Sequence, residues 1–140
     1  MNKKTIIGLS LLITFFCCPL SIAGSEDSEE VADEIYLLVR GSELLGFSSV
    51  GSNWVSQDLE AREQVLASKY GGHVAVVFTN IRILGFSALT SKWSAEKLRP
   101  EEELVNIEAT GNVGAVVTNL RAFGFSAKTG NWVVRRLGIE

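Results

Sequence analysis

Apolar residues along this chain fall into short runs separated by turn-forming residues, and the middle of the chain shows the pattern most fully. Val74 to Phe78 is a continuous apolar run rich in β-branched residues. Thr79-Asn80 interrupts it, and Arg82 to Ala88 forms a second run, so the pair predicts a β-hairpin in which Asn80 tolerates positive φ. Leu89 to Lys92 supplies the next turn, and Trp93 to Leu98 a third strand with Trp93, Ala95 and Lys97 on one face. Arg99-Pro100-Glu101 breaks the chain before a fourth strand, Leu104 to Ala109, and Gly111-Asn112 turns into the next segment. In the first strand Val74, Val76 and Phe78 point one way while Ala75 and Val77 point the other. A strand apolar on both sides has to be covered on both sides.

The pattern repeats. Gly46-Phe47-Ser48, Gly85-Phe86-Ser87 and Gly124-Phe125-Ser126 stand 39 residues apart, as do Trp54, Trp93 and Trp132, and Leu59, Leu98 and Leu137. A fixed period over three copies decides the architecture before any single residue does. The chain is expected to be all-β, with periods of about 39 residues at 34–72, 73–111 and 112–140, each a four-stranded meander. The third copy ends at Glu140 without room for its fourth strand. Stacked four-stranded sheets with buried strands are the blades of a β-propeller. In the second strand of each copy Leu84 and Phe86 are expected to face one neighbour. Gly85 and Ser87 would face the other, where small residues allow close approach. Each tryptophan is expected to wedge between blades; the alternative is a platform for a ligand.

Arg121 to Trp132, RAFGFSAKTGNW, resembles the blade pattern of quinoprotein-type (PQQ-like) β-propellers. There a strand ending in a small residue leads through a Thr-Gly turn toward a tryptophan docked between blades. The resemblance is best in the third copy, with Thr90-Ser91 and Gly51-Ser52 at the turn in the other two. It implies blade architecture. It carries over no dehydrogenase activity, because no quinone or calcium ligands of that family map onto this sequence.

Three blades fall short of a ring, which typically takes about four to eight. Three open blades would leave apolar sheet faces in water, so a homodimer making one six-bladed ring is the expected remedy. The rival all-β architecture is a β-trefoil, which also has three repeats of four strands.

Composition places the chain. Lys3 and Lys4 precede an apolar run from Ile6 to Cys18 and a small-residue site at Ser21-Ile22-Ala23, which reads as a secretory signal peptide over 1–23. Export to a periplasm or to the outside is expected, with no stable membrane span after cleavage. Both cysteines, Cys17 and Cys18, lie in that segment, with Phe16 in front of them, which disfavours lipidation. The processed chain would have no thiol, hence no disulfide and no thiolate metal site. Of 13 basic residues 11 remain after cleavage against all 16 acidic ones, a net charge of −5. That balance argues against nucleic acid as a partner. Glu26, Asp27, Glu29, Glu30, Asp33 and Glu34 concentrate the acid near the start, so 24–33 is expected to be a flexible leader.

Candidate chemistry is sparse. His73, the one histidine, sits after Gly71-Gly72 and is expected to be an exposed turn residue with no second histidine or cysteine to complete a metal or nucleophile set. Glu101-Glu102-Glu103 reads as a solvated turn, since consecutive side chains in a loop diverge. No cofactor and no enzymatic activity are expected. The residues that repeat without a core reason are Asn80 and Arg82, Asn119 and Arg121, with Glu43 in the first copy. They suit fork-shaped recognition of an anion or a sugar hydroxyl, or ion pairs with an acid of the neighbouring blade. Phe47, Phe86, Phe125, Trp54, Trp93, Trp132 and glycines Gly46, Gly85 and Gly124 are the expected repeat core. Two functions fit: a non-catalytic exported interaction module with a protein or glycan partner, or a small lectin-like protein with repeated sugar sites.

Overall fold

A computed structural model describes residues 32–138. The expected signal segment, its cleavage site, both cysteines and residues 24–31 of the acidic leader lie outside that span. Among the described residues there are eleven strands and no helix, so no helix is long and apolar enough to cross a membrane. The strands form three separate antiparallel sheets. The first is β1 (Ile35–Arg40), β2 (Glu43–Ser48) and β3 (Asn53–Asp58). The second is β4 (Val65–Gly71), β5 (Val74–Thr79), β6 (Arg82–Ser87) and β7 (Lys92–Lys97). The third is β8 (Leu104–Thr110), β9 (Val113–Thr118), β10 (Arg121–Ser126) and β11 (Asn131–Arg136).

The uninterrupted apolar run of β5 has the cover it needs, since all six of its residues are buried. Register explains how. Ala75, Phe86 and Trp93 stand side by side across the second sheet, and Val76, Gly85 and Ser94 form the adjoining row on the opposite face. One core joins Ala75, Val77, Leu84 and Phe86 to Ile35, Leu37 and Leu44 of the first sheet. A second joins Val74, Val76, Phe78 and Ile83 to Val116, Phe123 and Phe125 of the third. The middle sheet is thus packed face to face on both sides. The sheets converge at β4 and β8 and diverge toward β7 and β11, the fan of propeller-type blades.

Two features differ from the sequence expectation. Leu104–Thr110 pairs with β9, not with β7, so each sheet is offset by one strand from the periods starting at 34, 73 and 112. The three-stranded sheet is therefore the first, not the last. The eleven strands fall into three separate sheets and share no common barrel, which rules out the trefoil, whose strands interlock in one barrel. Asn80 does not take positive φ either. The Thr79 hydroxyl closes that hairpin by accepting the amides of Ile81 and Arg82, whereas in the first sheet Gly41, at φ +57°, makes the turn.

Asp33, the last acid of the leader segment, is held in place. Its carboxylate accepts the Gly72 amide at 2.7 Å, and the Glu34 amide donates to the Gly72 carbonyl at 2.7 Å.

Candidate functional site

The repeated polar residues converge on the loops that lead from one sheet into the next. Between β3 and β4 the chain turns at Glu60 to Glu63, with Arg62 at φ 65°. That turn aims the Glu63 carboxylate at the β5–β6 hairpin. The Arg82 guanidinium meets it in a fork, Nε to Oε2 at 2.9 Å and Nη2 to Oε1 at 2.9 Å. Thr79 donates its hydroxyl to Oε2 at 2.7 Å, and the Glu60 amide donates to Oε1 at 2.9 Å. Arg82 also donates to the carbonyl of Asp58, the last residue of β3 in the preceding sheet. Asn80 completes the link, accepting the Gln64 amide at 2.8 Å and donating to the Arg62 carbonyl at 3.0 Å.

The same constellation recurs 39 residues on. Arg121 grips Glu102 through Nε at 2.9 Å and Nη2 at 2.6 Å and donates to the carbonyl of Lys97 at 2.9 Å. Thr118 donates to Glu102, and Asn119 bonds Glu103 and Glu101 as Asn80 bonds Gln64 and Arg62. The Arg121 guanidinium lies 4.6 Å from the Phe123 ring centre, a cation–π contact. Both carboxylate side chains have no exposed surface. A buried charge persists only when paired and hydrogen-bonded, and these are. The hydrogen bond from Arg121 is the main reason the Glu102 carboxyl is lowered to about 2, against the opposing pull of burial. Burial pushes Glu63 upward, but Arg82, the Glu60 amide and Thr79 together bring it below the ordinary value. Glu102 in turn raises Arg121.

This arrangement leaves the arginines little with which to bind an anion, because Nε and Nη2 of each are engaged within the fold and the side chains are largely buried. They lock each sheet to its predecessor. The partner acids are Glu63 and Glu102, in the connecting loops. Glu43 is half-exposed, and among the described residues it joins no ion pair. Glu102 departs from the solvated turn expected for the triple-glutamate run, since only Glu101 of its neighbours carries the positive φ that turns Glu102 inward. The sequence signal was present but small: Glu60-x-x-Glu63 and Arg99-x-x-Glu102 share the 39-residue spacing. Beside the second-sheet hairpin lies a shallow depression of about 270 Å³ lined by Asn80, Ile81, Lys97, Leu98, Arg99 and Pro100.

His73 is half-buried rather than exposed, and among the described residues its Nδ1 is enclosed without a hydrogen-bond partner. No group of three or more His, Cys, Asp or Glu among the described residues is placed to hold a metal ion.

The aromatic repeat positions do not share one environment. Trp93 and Trp132 are partly buried, and each donates its indole N–H to a carbonyl of the preceding sheet, Val55 at 3.0 Å and Ser94 at 3.1 Å. Trp54 is 53 % exposed. It sits 6.4 Å from Tyr36 on the outer face of the first sheet, and Tyr36 is 5.7 Å from Tyr70 of β4 in the second sheet, so the three rings form an open aromatic group. The outer face of the third sheet likewise exposes Val113 and Val133, the latter 75 % exposed. Their counterparts in the second sheet, Val74 and Ser94, lie against the third sheet.

No family model matches the chain, quinoprotein-type propellers included, and no curated protein sequence matches it. Among solved structures, the N-terminal domain of Nup159 superposes with a TM-score of 0.41 at 8 % identity, over 75 % of this chain and 31 % of that one. S. cerevisiae Nup159 in a complex with Dbp5, Gle1, IP6 and ADP gives 0.41 at 9 % identity, over 76 % and 31 %. The chain spans about a third of the length of those structures.

Proposed function

We propose that this chain is an exported, non-catalytic interaction module that works through the two outer faces of its stack of blade-type sheets. The observation that carries this reading is the contrast in how side chains are used. The charged groups that sequence repetition marks out are buried in ion pairs that fasten sheet to sheet. Each outer face exposes apolar side chains, Tyr36 and Trp54 at one end and Val113 and Val133 at the other. Such faces mark places where another macromolecule docks. The test is native mass spectrometry of the chain recovered from the compartment to which it is exported. A complex heavier than a single chain, weakened by Trp54→Ala or Val133→Asp, supports the module. A chain recovered alone, with neither substitution altering its state, overturns it.

A carbohydrate-binding reading is supported at one place only, the exposed Tyr36, Trp54 and Tyr70 group, whose rings suit the apolar face of a sugar. Repeated sugar sites are not supported, because Trp93 and Trp132 are engaged in packing. Glycan-array binding abolished by Trp54→Ala in a folded protein would favour the lectin reading, and a blank array would remove it.

A further inference from the structure

We propose that the occupant of both outer faces is a second copy of this chain, and that the two copies close into a six-bladed ring. This rests on the interaction-module reading and names its partner. The two joints inside the chain are built alike. In each, a phenylalanine of the later sheet lies over a glycine of the earlier one. A Cβ added at Gly46 would come within 2.6 Å of the Phe86 ring, and one at Gly85 within 2.8 Å of the Phe125 ring. In each, the later tryptophan donates to the earlier sheet, Trp93 to Val55 and Trp132 to Ser94. In each, a serine of the earlier sheet donates to an alanine carbonyl of the later one, Ser48 to Ala88 and Ser87 to Ala127.

Advancing every contact by one 39-residue period gives a third joint whose halves sit at opposite ends of the chain. The earlier half is Gly124, the Ser126 hydroxyl and the Val133 carbonyl on the outer face of the third sheet. The later half is Phe47, the Trp54 indole N–H and the Ser49 carbonyl on the outer face of the first. Both halves are open. A Cβ at Gly124 meets nothing nearer than the Val133 carbonyl at 4.0 Å, so its hollow is unfilled among the described residues, and Trp54 is 53 % exposed. Charge fits as well. At the inner joints Arg82 and Arg121 reach the ends of β3 and β7, whereas Glu43 holds that place at the third joint and would face Arg136 at the end of β11.

Three blades cannot bend far enough to bring these halves together within one chain. Among multiples of three, only six falls in the range of about four to eight blades that close. Two copies related by a twofold axis along the ring would make the joint twice and leave no apolar end.

Sedimentation equilibrium of the exported chain and of Gly124→Trp tests this. Gly124 has open space around it, so an indole there leaves the single chain intact while blocking the hollow meant for Phe47. The wild type is expected at about 26 kDa, two chains of about 13 kDa each at typical residue weights. Gly124→Trp is expected at half that mass with an unchanged circular dichroism spectrum, and with association weakened at least a hundredfold. If Gly124→Trp fails to fold, Val133→Asp, at a 75 % exposed position, serves in its place. A monomeric wild type, a dimer indifferent to these substitutions, or polymers longer than two would each overturn the proposal. A different chain found on the same faces would overturn the second copy and leave the interaction module standing.

Discussion

Replacing Gly85 with alanine adds one methyl group where β6 of the second sheet lies under the Phe125 ring of the third. Its Cβ would lie 2.8 Å from two carbons of the Phe125 ring and 3.0 Å from a third. Carbon atoms pack best at about 3.5–4.0 Å, so the ring has to retreat by roughly 1 Å. It has little room, being 2 % exposed and seated against Trp132 at a centroid distance of 4.9 Å. Overpacking of this kind costs roughly 1–3 kcal/mol, offset by about 0.4–1 kcal/mol from the stiffer unfolded chain. A net loss of about 1–2 kcal/mol lowers the melting temperature by on the order of 5–15 °C in a domain of this size. Gly124→Ala is the matched control: same strand position, same chemistry, no ring above it. Urea unfolding followed by far-ultraviolet circular dichroism, over a range of protein concentrations, separates the cases. Gly85→Ala should lose stability at every concentration, whereas Gly124→Ala should lose it only where chains associate. Equal and concentration-independent losses for the two, or none for Gly85→Ala, would refute the seating of Phe125 on Gly85.

Three further outcomes follow from the buried ion pairs. Glu102→Gln leaves the Arg121 guanidinium without its charge partner and should cost roughly 3–5 kcal/mol in denaturant unfolding. Pairing it with Arg121→Met should restore part of that loss, and a double variant worse than the sum of the singles would contradict the pairing. Because the Glu102 carboxyl titrates at about 2 instead of 4.5, its contribution is whole above the higher value and is lost as pH falls toward the lower. Stability should drop by about 3 kcal/mol across that window, at 1.36 kcal/mol per pH unit, and Glu102→Gln should flatten the profile there. Glu63 acts in the same direction.

The sheets were legible because the apolar runs and the 39-residue beat are strong signals that need no partner to interpret. The grouping of strands was not, since a cyclic pattern has no marked beginning. Leu104 to Thr110 is apolar enough to pair on either side, and the choice is made by the short loop Gly111-Asn112 leading into β9. Asn80, Arg82, Asn119 and Arg121 stood out by repetition, but their buried partners did not. Glu102 was hidden in a run of three acids whose composition spells a surface turn, and Glu63 in a loop without apolar landmarks. Only the backbone turn at Glu101 separates the inward carboxylate from its solvated neighbours. His73 was misplaced for a related reason: glycines on its N-terminal side suggest an exposed turn, yet Gly72 is itself buried against Gly111.

Within the chain Trp93 and Trp132 hold the blades together and are not ligand platforms. The denaturant-unfolding free energy of Trp93→Ala tests this most directly. Trp93 packs on Phe86 at 5.1 Å and donates its N–H to Val55 across the sheet interface, so its truncation should cost roughly 3–5 kcal/mol or leave the chain unfolded at 25 °C. A Trp93→Ala protein as stable as the wild type would contradict it.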